Sequence, residues 1–229
     1  MDISPLWISL KVALLATFIT FFAGIYAARL VVKLKRCRGL LDGIFTLPLV
    51  LPPTVVGFFL LLIFGKNSLL GQILNTLEIN VVFSWLGAVL ASTVVSFPLM
   101  YRTVRGALEQ IDQNLIYAAR TIGMSERAIF WRITAPLAWP SIAAGGILAF
   151  ARALGEFGAT IMLAGNIPGK TRTMSVAVYS AVQAGDRDLA YRWVMIIMLI
   201  SFTVMILMNY WSSYQNRLAG KWGDKNAKS

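Results

Sequence analysis

The sequence predicts an all-α membrane protein, one domain over 1–229 with five transmembrane helices, and three observations predict it. Hydrophobic residues make up 58% of the chain and charged residues 14%, against about 25% charged in an ordinary soluble domain, and the mean hydropathy is +0.70. The charges cluster at 29–38, 102–132, 166–192 and 217–228. The runs between them are long enough for a hydrocarbon core, which takes about 20 helical residues. Lys and Arg are also shared unequally between alternate loops, the usual asymmetry of a polytopic chain.

The spans fall at about 6–32, 43–65, 82–101, 137–164 and 193–211, with only loops between them. The first is too long for a signal-peptide core, and its basic residues follow it, so it stays a span. The second carries Pro48, Pro52 and Pro53 in TLPLVLPPTVVG. Each proline removes an amide donor and obstructs the preceding turn, which predicts a broken or re-entrant helix. Such a break is either a kink tolerated by its neighbours or part of the lining of a pathway. The fourth span has Ser141, Gly145, Ala149 and Ala153 at four-residue spacing. That stripe lets helix backbones approach closely. Residues 165–192 are polar, with Pro, Gly and Asp, and read as an external loop. Trp7, Trp85, Trp139, Trp193 and Trp211 lie near span ends, where interfacial aromatics belong.

Counting cations gives an orientation. Arg29, Lys33, Lys35, Arg36 and Arg38 follow span one; Arg102, Arg105, Arg120, Arg127 and Arg132 separate spans three and four; Arg217, Lys221, Lys225 and Lys228 end the sequence. The opposite loops hold only Lys66, Lys170, Arg172, Arg187 and Arg192. The bias puts the first set in the cytoplasm, the N-terminus outside and the C-terminus inside. The net charge of +11 is therefore loop asymmetry toward a lipid bilayer, with no nucleic-acid partner expected. With no His and one Cys, Cys37, the chain can form no internal disulfide and offers no metal-ligand cluster.

The segment AFARALGEFGAT places Arg152 and Glu156 inside an otherwise apolar span. An ion near the bilayer centre costs about 2.5–3.5 kcal/mol on insertion scales, so such residues usually face protein or water. Four-residue spacing puts the two on one face, close enough to pair. The residues alone allow a structural ion pair as readily as a cation lining a pathway, with Gly155 and Gly158 permitting close backbone approach.

The loop before span four reads YAARTIGMSERAIFWRITAP. Gly123 offers a helix-ending position and Ser125 an N-cap, so two short helices joined at a glycine are expected. On composition alone such a loop is a solvated connector. Its spacing, however, resembles the docking motif of ABC importer permeases: Glu-Ala-Ala, three residues, Gly, nine residues, Ile, one residue, Leu, Pro. Ala118, Ala119, Gly123, Ile133 and Pro136 match it, whereas Tyr117 stands for the usual Glu and Ala135 for the usual Leu. In that family this loop, here about 115–136 and including Met124, fits into a socket on an ATPase subunit.

The stretches LPLVLPPTVVG, SFPLMYRTVRGALE, RALGEFGAT and NIPGKTRT narrow the resemblance to molybdate permeases, although RALGEFG is similar to sulfate and thiosulfate permeases as well. The resemblance implies two ATP-binding-cassette ATPase subunits, a periplasmic molybdate-binding protein, alternating access, and no cofactor in this chain, since the partner ATPase binds ATP. Five helices are few to enclose an anion pathway, which predicts a two-fold homodimer. Tungstate, sulfate or thiosulfate are alternative cargoes; an ion channel or a membrane-embedded enzyme are alternatives of another class. AGNIPGKT mimics a phosphate-binding loop, but Ala164 stands where that motif needs its first Gly. Nucleotide binding by this chain is not expected.

Overall fold

The computed structural model describes residues 2–34 and 36–226. Lys35 and Lys228 lie outside the described residues, as do the side chains of Trp211, Arg217, Lys221 and Lys225.

Every regular element among the described residues is helical. In chain order these are α1 Ser4–Lys33, α2 Arg38–Val50, α3 Pro53–Phe64, α4 Leu69–Thr76, α5 Trp85–Glu109, α6 Gln113–Thr121, α7 Glu126–Ile129, a π-helical segment Phe130–Thr134, α8 Ala135–Leu154, α9 Gly158–Leu163, α10 Met174–Gln183 and α11 Arg187–Asn226. Four rods are long and apolar enough to cross a membrane: α1, α5, the continuous run Glu126–Leu154, and α11 as far as Leu207. The bent pair α2 and α3 makes a fifth.

α1, α5 and α8 form the centre of the molecule, and small residues let them close. A Cβ on Gly24 would lie 2.7 Å from Met100, and one on Gly145 would lie 3.0 Å from the same side chain. Ala28, Val31, Tyr101, Val104 and Ala149 are fully buried in this core, and the Thr20 and Ser96 hydroxyls meet across it at 3.2 Å. The outer face of α1 shows the reverse pattern, with Trp7, Leu14, Phe18, Phe22 and Tyr26 all more than half exposed. Small inside and large outside is the pattern of a helix that packs against protein and faces lipid. Ser141, Gly145, Ala149 and Ala153 follow the same rule: the last three are buried against neighbouring helices.

The second span is broken, as its prolines require. The Leu51 amide closes α2 on the Leu47 carbonyl at 3.1 Å; Pro52 is extended, and its carbonyl receives the Val55 and Val56 amides that start α3. The two halves bend by 114°. α2 has no buried residue and is held to α5 at its polar edge. Arg105 pairs with Asp42 and, at 2.7 Å, with Glu109; Arg38 also pairs with Glu109, and the Tyr101 hydroxyl donates to Asp42 at 3.0 Å.

Several expectations need correcting. Span four is not continuous over 137–164: its helix begins at Glu126, ends at Leu154, and resumes as the separate α9. The loop before span three contains α4, capped by Ser68. The segment 165–192 is not a simple external loop, because α10 packs into the core: the Met174 amide donates to Ser9 at 2.7 Å, and Met174 and Ala177 are buried with Ala13, Leu154 and Trp193. Trp193 is 2% exposed and therefore a core residue, not an interfacial one. In the phosphate-loop mimic, the amides of Lys170, Thr171 and Arg172 all turn inward onto the Ile167 carbonyl.

Candidate functional site

Two sites stand at opposite ends of the rod Glu126–Leu154. At its C-terminal end the Gly155 amide closes α8 on the Ala151 carbonyl, and Phe157 leaves helical geometry. Glu156 is turned inward by this break, and its side chain is 1% exposed. Its Oε1 accepts the Ala159 amide at 2.8 Å, which satisfies one of the free donors at the start of α9. Its Oε2 lies 2.6 Å from Arg152 Nη1. Arg152 keeps 30% of its side chain accessible. One member of the pair is thus sealed and the other open, so Arg152 alone can meet a solute.

Gly158 sits where the second broken span arrives: a Cβ there would stand 3.0 Å from Pro53 and 3.1 Å from the Thr54 amide nitrogen. One turn further along α3, a Cβ on Gly57 would lie 2.7 Å from the Ala159 backbone. Broken helix therefore packs on broken helix, and irregular backbone of this kind is tolerated at membrane depth where it is buried in protein or lines a cavity. Within the chain, a Cβ on Gly155 meets nothing closer than 3.6 Å.

At the other end, α6 stops at Gly123, whose φ of +82° suits glycine. The Met124 amide reaches the Ala119 carbonyl at 3.1 Å and the Gly123 amide the Arg120 carbonyl at 2.9 Å, the double closure of a helix C-terminus. Ser125 then accepts the Ala128 amide at 3.3 Å and starts α7. α6 is the first of the two short helices expected; the second is not separate, because α7 is the first turn of the rod Glu126–Leu154. Ala119 is buried and ties α6 inward, whereas Leu115, Ala118 and Ile122, on one helical face, are exposed. The Glu126 carboxylate lies 2.7 Å from Arg120 and pushes that guanidinium above its ordinary value; both side chains are about half exposed, so solvent screens the pair.

Ile133 and Pro136 belong to the rod itself. Pro136 has no amide for the Arg132 carbonyl, and the helix widens there into the π segment, with the Ala135 amide reaching back to Phe130. The loop and the span are one continuous helix, which periodicity did not show because the prolines and polar residues masked it. Two further features went unread. Gly57 falls four residues after Pro53, a signal that a backbone approaches. The pairs Arg38/Asp42 and Arg105/Glu109, each at four-residue spacing, flank two apolar runs that meet at their ends.

Residues 20–216 match the family of binding-protein-dependent transport system inner membrane components. The chain belongs to that family, whose members are transport components and not enzymes. The Escherichia coli K12 molybdenum transport system permease protein ModB is 44% identical over 209 residues, 89% of this chain and 90% of its own. A putative molybdenum transport system permease of Bacillus subtilis is also 44% identical, with 90% of this chain and 91% of its own covered. The Haemophilus influenzae ModB is 40% identical over 99% of both chains. Among solved structures, a bacterial ABC transporter that imports the acidic polysaccharide alginate shares the fold, with a TM-score of 0.77, 18% identity, and coverage of 93% of this chain and 79% of that one. The MetNI methionine ABC transporter aligns with a TM-score of 0.72 at 15% identity over 92% and 94% of the two chains.

Proposed function

We propose that this chain is the membrane subunit through which molybdate crosses the bacterial inner membrane, driven by ATP that a separate subunit hydrolyses. Identity of 40–44% to molybdenum permeases over nearly the whole length carries this reading. Arg152 supplies its chemistry: an accessible cation in a membrane span, held in place by a sealed carboxylate, attracts a tetrahedral oxyanion without neutralising it. Glu156 positions Arg152, and Gly158 seats the neighbouring broken span against the same place.

The likeness to ABC importer permeases supports ATPase and binding-protein partners, and the small number of helices supports a second copy. Two copies of the chain enclose the pathway, two ATPase subunits dock on the loop 115–136, and a periplasmic binding protein delivers the anion, as a periplasmic protein sits on the alginate transporter. The exposed apolar face of Leu115, Ala118 and Ile122 supports docking, since nothing among the described residues covers it. Ala118, Ala119, Gly123, Met124, Ile133 and Pro136 shape that element. The N-terminus lies outside and the C-terminus in the cytoplasm, on the cation count. No cofactor is required in the chain. Displacement of the docking loop reaches Arg152 through a single helix of 29 residues, and the pathway reopens on the other side.

The reading is tested with the assembled transporter and its binding protein in vesicles. ATP-dependent uptake of molybdate, resisted by excess sulfate, is the expected result. Uptake of sulfate with no uptake of molybdate would overturn it.

A further inference from the structure

A cavity of about 410 Å³ lies between the ends of α1 and α5 and the docking helices α6 and α7, away from Arg152. Among the described residues its cations are Arg29, Lys33 and Arg120, and its one carboxylate is Glu126. Glu126 is already committed to Arg120 at 2.7 Å. Arg29 and Lys33, one turn apart on α1, meet no carboxylate within 4 Å among the described residues. Arg29 is instead stacked 4.0 Å over the Phe130 ring of the π segment, an arrangement that fixes the guanidinium and leaves its edge donors unspent. The remaining wall is mostly apolar, with Val32, Leu108, Ile116 and Ile129, and carries the uncharged polar side chains of Gln113 and Thr134.

Depth in the membrane decides what such a cavity would hold. The lipid-facing stripe of α1 runs from Trp7 to Leu30, roughly 35 Å of helix at about 1.5 Å per residue, close to the thickness of a hydrocarbon core. Arg29 and Lys33 therefore stand at the headgroup level of one leaflet, and Trp131, whose ring packs on the Phe130 that Arg29 covers, is 71% exposed, as an interfacial aromatic is. A ligand suited to this site carries a phosphate for two uncommitted cations and an apolar body for the wall.

We propose that the cavity binds the phosphate of an anionic phospholipid, which bridges the end of α1 to the docking loop. The lipid would brace the docking helices against the membrane body from behind, opposite the face offered to the ATPase. Free inorganic phosphate has the same anionic head but nothing for the apolar wall. The cavity is a different place from the proposed cargo site, and lipid retention is measured without cargo.

The test uses the intact transporter complex purified from bilayers containing phosphatidylglycerol and phosphatidylcholine, with retained lipid counted by native mass spectrometry. The wild type is expected to retain phosphatidylglycerol. Arg29→Gln and Lys33→Gln should each weaken retention about fivefold, the effect of removing one surface cation. Arg29→Lys should keep most of it, and Lys170→Gln, at the other end of the molecule, should change nothing. Counting only particles that elute as the intact complex separates lipid loss from misfolding. Equal retention by wild type and the Arg29→Gln/Lys33→Gln double variant would overturn the proposal, as would an equal loss in Lys170→Gln. Full displacement of the lipid by millimolar inorganic phosphate would overturn it too, by showing that the site reads a free anion.

Discussion

The two ends of the rod Glu126–Leu154 are built on opposite rules. At Arg152 the carboxylate is sealed and the cation open: Glu156 is buried, one of its oxygens accepting the Ala159 amide and the other lying against the Arg152 guanidinium, and glycines let α3 close against α9. At Gly123 the polar groups are open to solvent, the ion pair is screened, and an apolar face points away from the body. A buried network fixes one geometry and is costly to disturb; an exposed element held by capping bonds is free to fit a partner. The contrast fits the division of labour proposed above, with a rigid anion site at one end and an adaptable docking element at the other, roughly 40 Å away along one helix.

Substitutions at each end should fail in different ways. Arg152→Ala should lower anion uptake by about 10- to 100-fold, the loss of hydrogen bonds to a charged group, while assembly with the ATPase is unchanged. Normal uptake at equal amounts of complex would remove Arg152 from the pathway. Glu156→Ala should instead act on stability, lowering it by about 1–3 kcal/mol because the Ala159 amide loses its acceptor in a buried place. A thermal melt of the detergent-solubilised complex reads this directly. Gly123→Ala should cost about 1–2 kcal/mol at a left-handed position, seen as weaker co-purification of the ATPase with the membrane helices still folded. Glu126→Gln, at an exposed ion pair, should leave both melting and co-purification unchanged. If it disturbed docking as strongly as Gly123→Ala, the docking end would depend on charge more than on shape.

Sequence and structure agree where the signal is local. Capping chemistry at Ser125, the left-handed glycine at 123 and the proline break after Leu51 each follow from one or two residues, and all were legible. The Arg152–Glu156 pairing was legible from spacing alone, but its asymmetry was not, because burial of Glu156 depends on the helix ending at Gly155 and on an α9 amide donating to its carboxylate. α10 was hidden for a related reason. Its ten residues are too few for a span, and their apolar face shows its purpose only once Ser9 and Trp193 are placed beside it. At Gly155 no close approach within the described residues uses the missing side chain.

The claim that joins the two ends is that docking motion reaches the anion site through an unbroken rod, with the π segment at Phe130–Thr134 part of it and not a hinge. Spin labels at Ser125 and Leu148, both on accessible positions, would sit roughly 35 Å apart by helical rise, and a third label at Phe58 reports α3. Pulsed dipolar distances in the intact transporter, with and without nucleotide, measure both. The account expects the 125–148 distance to stay constant while the 58–148 distance shifts between states. A 125–148 distance that changes with nucleotide while 58–148 stays fixed would contradict it and make the π segment the hinge.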